Sequence, residues 1–128
     1  MRNLTKHVVE GDSVNHQLSV TALDGPGAGG ASHEYDIVWP VADHLKGAIK
    51  DSVRISFQNG PIKECGINGA TQEALLAILI DRLECFQAFQ FACEENGIAL
   101  DHCKAALDAL QLRTKARMSR GVEGTHAK

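Results

Sequence analysis

"TQEALLAILIDRLECFQ", residues 71–87, is the stretch where the hydrophobic period of the chain changes. Leu75, Leu76, Leu79, Leu83 and Phe86 recur at three- and four-residue steps, the spacing of one face of an α-helix. Thr71 ahead of them is a natural N-cap, and Glu73 puts a carboxylate in the first turn, where the helix dipole favours it. A helix is therefore expected from Thr71 to about residue 88. A second is expected to begin near Ala92 or Glu94, with Leu100, Cys103, Leu107 and Leu110 as its stripe and Gly121 of "SRGVEG" as its stop. Two long amphipathic helices on a short link make an αα-hairpin.

Upstream the period is two. "HQLSVTAL" (16–23) alternates through Leu18, Val20 and Ala22. "HEYDIVW" (33–39) puts Tyr35, Ile37 and Trp39 on one face and stops at Pro40. "SVRISFQ" (52–58) does the same with Val53, Ile55 and Phe57. "VADHLKGAIKDS" (41–52) reads as a connector with room for one helical turn. "NGPIKECGIN" reads as a turn with a fourth short strand, and residues 1–14 as a loosely tied arm. The expected fold is α+β: a small antiparallel β-sheet at about 16–66, then a long antiparallel α-helical hairpin at about 71–120. At 128 residues the prior is a single domain spanning 1–128.

Composition excludes several classes. The chain is 44% hydrophobic and 23% charged, and its longest apolar run, "ALLAILI", is far shorter than the ~20 residues of a membrane span. No export signal opens the sequence, so a cytoplasmic location is expected. Cys65, Cys85, Cys93 and Cys103 include no C-x-x-C pair, which argues against a zinc ribbon or a disulfide framework and for reduced thiols filling a core. The six histidines lack metal-ligand spacing, and no carboxylate pair or nucleophile motif recommends an enzyme. Neither a metal nor a cofactor is expected. The net charge of −3 hides an asymmetry: residues 113–128 carry five cations against Glu123, which leaves +4 for the tail and −7 for the rest.

"GPGAGG" (25–30) looks like a phosphate loop and fails as one. A strand follows it, where a phosphate loop has a helix N-terminus, and Gly-Lys-Ser/Thr is missing. It is better read as a long hairpin connection whose glycines take up unusual backbone angles. The more informative pattern is Arg113, Arg117 and Arg120, spaced i, i+4, i+7. On a helix they share one face, as planar donors able to clamp phosphate oxygens, or as a solvated basic helix end. "CFQAFQFACEEN" gathers Phe86, Phe89 and Phe91 near the hairpin turn, with Asn96 beside them as donor and acceptor for a base edge. Asn96 and Arg113 are 17 residues apart, ~25 Å along a helix. An adenine-plus-phosphate ligand is much shorter, so one pocket served by both ends requires two chains with antiparallel hairpins and two identical sites.

"LDGPGAGGASHEYDI", "FQNGPIKECGINGATQEALLAILIDRLECFQ", "FACEENGIAL" and "RTKARMSRGVEGTH" closely resemble the phage Thoeris anti-defence protein 1 family, in blocks lying within residues 16–128. The helical hairpin is also similar to that of phage anti-CBASS sponges. The resemblance implies a non-catalytic sponge that binds the cyclic ADP-ribose isomers made by TIR enzymes, without cleaving them, in the cytoplasm of the infected bacterial host. It implies that Phe86 stacks on adenine, that Asn96 contacts the ligand, and that Arg113 and Arg117 of a partner chain grip its phosphates, with Arg120 beside them. Gly29 and Gly30 then belong to a flexible wall of the pocket. Some relatives are hexamers, trimers of dimers, that hold cyclic trinucleotides at further sites. Lys63 and Arg54, in the expected strand region, are the candidates there. Two other readings stand beside this one. A nucleic-acid-binding module would use the basic tail, although the acidic body counts against DNA as a partner. A structural helical-hairpin oligomer would have no ligand at all.

Overall fold

The computed structural model describes residues 1–43 and 47–127. The chain divides into two compact units, Met1–Asn59 and Gly60–Lys128.

In the first unit, strands β1 (Arg2–Leu4), β2 (Ser19–Ala22), β3 (Glu34–Asp43) and β4 (Gly47–Ser56) form an antiparallel sheet in the order β1-β2-β3-β4. Each strand pairs with the next in sequence. The register places Leu4 opposite Val20, Val20 opposite Ile37 and Ile37 opposite Val53. Arg2, Ala22, Tyr35 and Ile55 make a parallel row on the same face. This face is mainly apolar, with Arg2 and Asp51 as charged members, and Thr21, Asp36 and Arg54 stand in register on the other. The Tyr35 and Phe57 rings meet edge to face, with centroids 5.7 Å apart.

Five expectations are corrected here. Residues 1–14 are not all a loose arm, because Arg2–Leu4 pair with β2. The strand expected at 16–23 is shortened to 19–22, its first residues forming a 3-10 turn at Asn15–Gln17. β3 does not stop at Pro40. Beyond Val38 it has no β2 neighbour, so Pro40 sits where one edge is unpaired and its missing N–H is tolerated. The 41–52 connector is therefore strand at 41–43 and 47–52, with no helical turn among those residues; 44–46 lie outside the described residues. Finally, the fourth short strand expected in 59–68 is a one-turn helix, α1 (Ile62–Cys65), started by Pro61 and ended by Gly66.

In the second unit, α1 is followed by α2 (Gln72–Ala88) and α3 (Glu94–Ser119), which pack on each other as a helical hairpin. Thr71 caps α2 as expected, its hydroxyl accepting from the Ala74 N–H at 3.1 Å. The half-buried positions of α2 are Glu73, Leu75, Leu76, Ile80, Leu83 and Gln87; those of α3 include Leu100, Cys103, Leu107, Leu110 and Thr114. Both seams advance in alternating steps of three and four, the coiled-coil spacing. Leu79 and Phe86, expected in the stripe, lie outside that seam and are exposed. With Leu75 and Arg82 they form a second row at i, i+4, i+7, i+11. Cys65, Cys85 and Cys93 are exposed and Cys103 is half-buried; all four are free thiols, and the first three fill no core.

Candidate functional site

The tip of the hairpin is built from residues 85–97. α2 ends at Ala88, and Gln87 holds the turn: its amide donates to the Cys93 carbonyl and accepts from the Cys93 N–H, both at 3.0 Å. Cys93 caps α3 with a weak bond from the Asn96 N–H to its Sγ. Gly97 lets the helices close here, since a Cβ on it would lie 3.2 Å from Gln87 Nε2. The chain between the helices is thereby tied down without an apolar core, and its phenylalanines are left outward. Phe89 and Phe91 are 74% and 65% exposed. Cys85, Phe86, Phe89, Gln90 and Phe91 line an open, mostly apolar pocket of about 520 Å³, within the ~300–1,000 Å³ of small-molecule sites. Asn96 is not among the lining residues: its Nδ2 donates to the Phe91 carbonyl at 3.3 Å, so part of its hydrogen-bonding capacity holds the turn.

The three arginines part company at the far end of α3. Arg113 and Arg120 are exposed, whereas Arg117 is only 9% exposed. Its guanidinium donates to the carbonyls of Val122 at 2.9 Å and Thr125 at 3.1 Å, and to that of Ala127. Gly121 and Gly124, both at positive φ, turn residues 121–127 back over it. A sequence signal existed for this. Leu100, Cys103, Leu107, Leu110, Thr114 and Arg117 step 3, 4, 3, 4, 3, so Arg117 is in phase with the packed seam, while Arg113 and Arg120 are out of phase. The tail also brings His126 within 3.9 Å of Glu64, a surface pair worth little. Lys63 lies in α1 instead of a strand and is exposed, and Arg54 is exposed on the polar face of β4. α3 is continuous from Glu94 to Ser119, so Asn96 and Arg113 are ~25 Å apart along one rod. Within one chain, the aromatic tip and the basic end do not meet.

In the sheet unit, the glycine-rich connection between β2 and β3 has Gly29 and Gly30 at φ 74° and 82°, in a short 3-10 turn. Asp24 organises it. Its carboxylate accepts from the N–H groups of His33 and Glu34 at 3.0 Å, and its carbonyl accepts from the Ser32 hydroxyl at 2.9 Å. The Glu34 N–H first, then that of His33, holds the Asp24 carboxyl below its ordinary value. His33 is buried under the loop, with Nδ1 lacking a partner. A Cβ on Gly27 would come within 3.0 Å of that nitrogen, so only glycine lets the backbone lie this close. Sequence reasoning missed Asp24, His33, Gln87 and Arg82. Arg82 stands over the Phe86 ring, its guanidinium carbon 5.5 Å from the centroid.

No helix among the described residues is long and apolar enough to cross a membrane. A sheet unit joined to a helical hairpin, with phenylalanines at the tip and arginines at the base, defines a small α+β hairpin protein. Residues 49–115 match the family described as Acb2/Tad1, hairpin domain, and the chain belongs to that family. It is 47% identical over 74 residues to "Thoeris anti-defense 1" of Bacillus phage SBSphiJ7, a match covering 58% of this chain and 52% of the relative. The chain thus spans about half the length of the curated relative it matches.

Proposed function

We propose that this protein is a phage anti-defence sponge that binds and sequesters cyclic ADP-ribose isomers, the signals of bacterial TIR enzymes, in the cytoplasm of the infected host. It withholds the ligand without cleaving it and so blocks Thoeris defence. The observation that carries this reading is the nucleotide-sized pocket walled by Phe86, Phe89 and Phe91, on a hairpin whose family includes anti-defence proteins. Aromatic faces of this kind stack on a flat purine, and the amide oxygen of Asn96 is an acceptor for its edge.

The anionic half of the ligand needs cations that this end of α3 lacks. Arg113, ~25 Å away along α3, and Arg120, ~36 Å away, reach it only from a second chain whose hairpin runs antiparallel to the first. A two-fold dimer of hairpins creates two such composite sites, and the row of Leu75, Leu79 and Phe86 supplies apolar surface for the contact. Arg117 serves this site in a different way from its neighbours. Three of its five N–H donors orient the tail, so its part is to hold the segment beside which Arg113 and Arg120 stand.

The deciding experiment incubates the protein with each cyclic ADP-ribose isomer, denatures it by heat, and analyses the supernatant by chromatography. Return of intact ligand supports sequestration, whereas a breakdown product would make the protein an enzyme. Cyclic oligonucleotides of CBASS are the second ligand class for the same assay. Failure of every isomer to bind would discard the reading.

A further inference from the structure

The cation nearest the aromatic tip is Arg82, one turn before Phe86 on α2. Its guanidinium is held over the Phe86 ring at 5.5 Å from the centroid, and Phe86 also lines the pocket. This puts a positive charge beside a ring that lines the pocket, in the same chain as that ring. Arg82 has no carboxylate to answer. The helix neighbours three and four residues away are Ile78, Leu79, Cys85 and Phe86, and among the described residues no acid pairs with it. It also sits inside the exposed apolar row between Leu79 and Phe86. Anything that covers this row takes the guanidinium out of water, and a desolvated cation without a counter-charge is costly.

We propose that Arg82 is a ligand contact of the hairpin-tip site, its guanidinium binding a phosphate of the same nucleotide whose base lies against the aromatic wall. An aromatic platform and a cation within one helical turn fit an aromatic anion, in which base and phosphate are joined by a single sugar. The ring pre-orients the fork, so less side-chain freedom is lost on binding. The inference rests on the sponge reading and deepens it: one phosphate contact comes from the same protomer as the base contact, and the partner's arginines complete the set.

The test is titration calorimetry of wild type, Arg82→Gln and Arg82→Lys with a cyclic ADP-ribose isomer, from about 50 to about 500 mM NaCl, with oligomeric mass measured on each. Arg82→Gln is expected to weaken binding by about tenfold or more, as loss of a charged hydrogen bond does, and to flatten the salt dependence. Arg82→Lys should recover part of the affinity, because the charge returns without the planar fork. Unchanged oligomeric mass separates this from a structural effect. Wild-type affinity in Arg82→Gln overturns the inference and leaves the sponge reading intact. Weakened binding with an unaltered salt slope, or with loss of the oligomer, also overturns it and assigns Arg82 to packing. Absence of binding by the wild type removes both.

Discussion

Arg117 shows how one residue changes meaning between sequence and structure. As a member of an i, i+4, i+7 arginine set it reads as a phosphate clamp; folded, it is the hub on which the tail closes. A buried guanidinium satisfied by three backbone carbonyls is a structural element, because removing it strands those acceptors. Arg117→Ala should therefore lower stability by on the order of 2–3 kcal/mol, measurable by urea unfolding, and expose 121–127 to proteolysis. Arg113→Ala should leave stability within about 0.5 kcal/mol, as surface changes do. Equal stability in the two variants would contradict this division of roles. The pattern carried enough to tell them apart, since only Arg117 keeps the phase of Leu107, Leu110 and Thr114. What the pattern could not disclose was the partner, because the carbonyls that Arg117 binds come from a tail folded back by Gly121 and Gly124.

At the scale of the element, the two helices were legible because period, cap and stop agree. Thr71, the 3.6-residue spacing and Gly121 each favour the same answer. The strands were legible only in part. Alternation located β2, β3 and β4, but Pro40 looks like an ending, and only pairing to β4 without a second neighbour explains why β3 continues. The connection between β2 and β3 depends on Asp24 in a way that predicts a pH dependence. Its carboxyl is held below the value of the unfolded chain, chiefly by the Glu34 N–H, so the stability it lends is present above about pH 4. That stability fades as the pH falls through the lower folded value. Thermal unfolding midpoints taken at pH 6 and at pH 3 should drop further in wild type than in Asp24→Asn, which has no charge to lose. Parallel drops would show that Asp24 contributes nothing to acid stability.

For the whole molecule, the point that matters is how little of it is buried. Among the described residues, Ala22 is the one fully buried apolar side chain, and no residue of α2 reaches full burial. A hairpin with Leu79 47% exposed and an aromatic tip in water has apolar surface to spare for a second copy. Leu79→Glu is expected to halve the mass measured by light scattering and to abolish binding of a cyclic ADP-ribose isomer, while circular dichroism still reports folded helices. An unaltered mass would overturn the proposed contact between copies through this row. The sequence by itself determined the fold class, the two helix spans, the N-cap at Thr71 and the separation of aromatic and basic ends, since each follows from period or from rise per residue. Tertiary structure alone decided that Arg117 is enclosed by the tail, that Asp24 and His33 organise the glycine connection, and that Arg82 rests on Phe86. Those facts depend on which backbone groups and faces come together after the chain turns, and spacing along the chain carries no record of that.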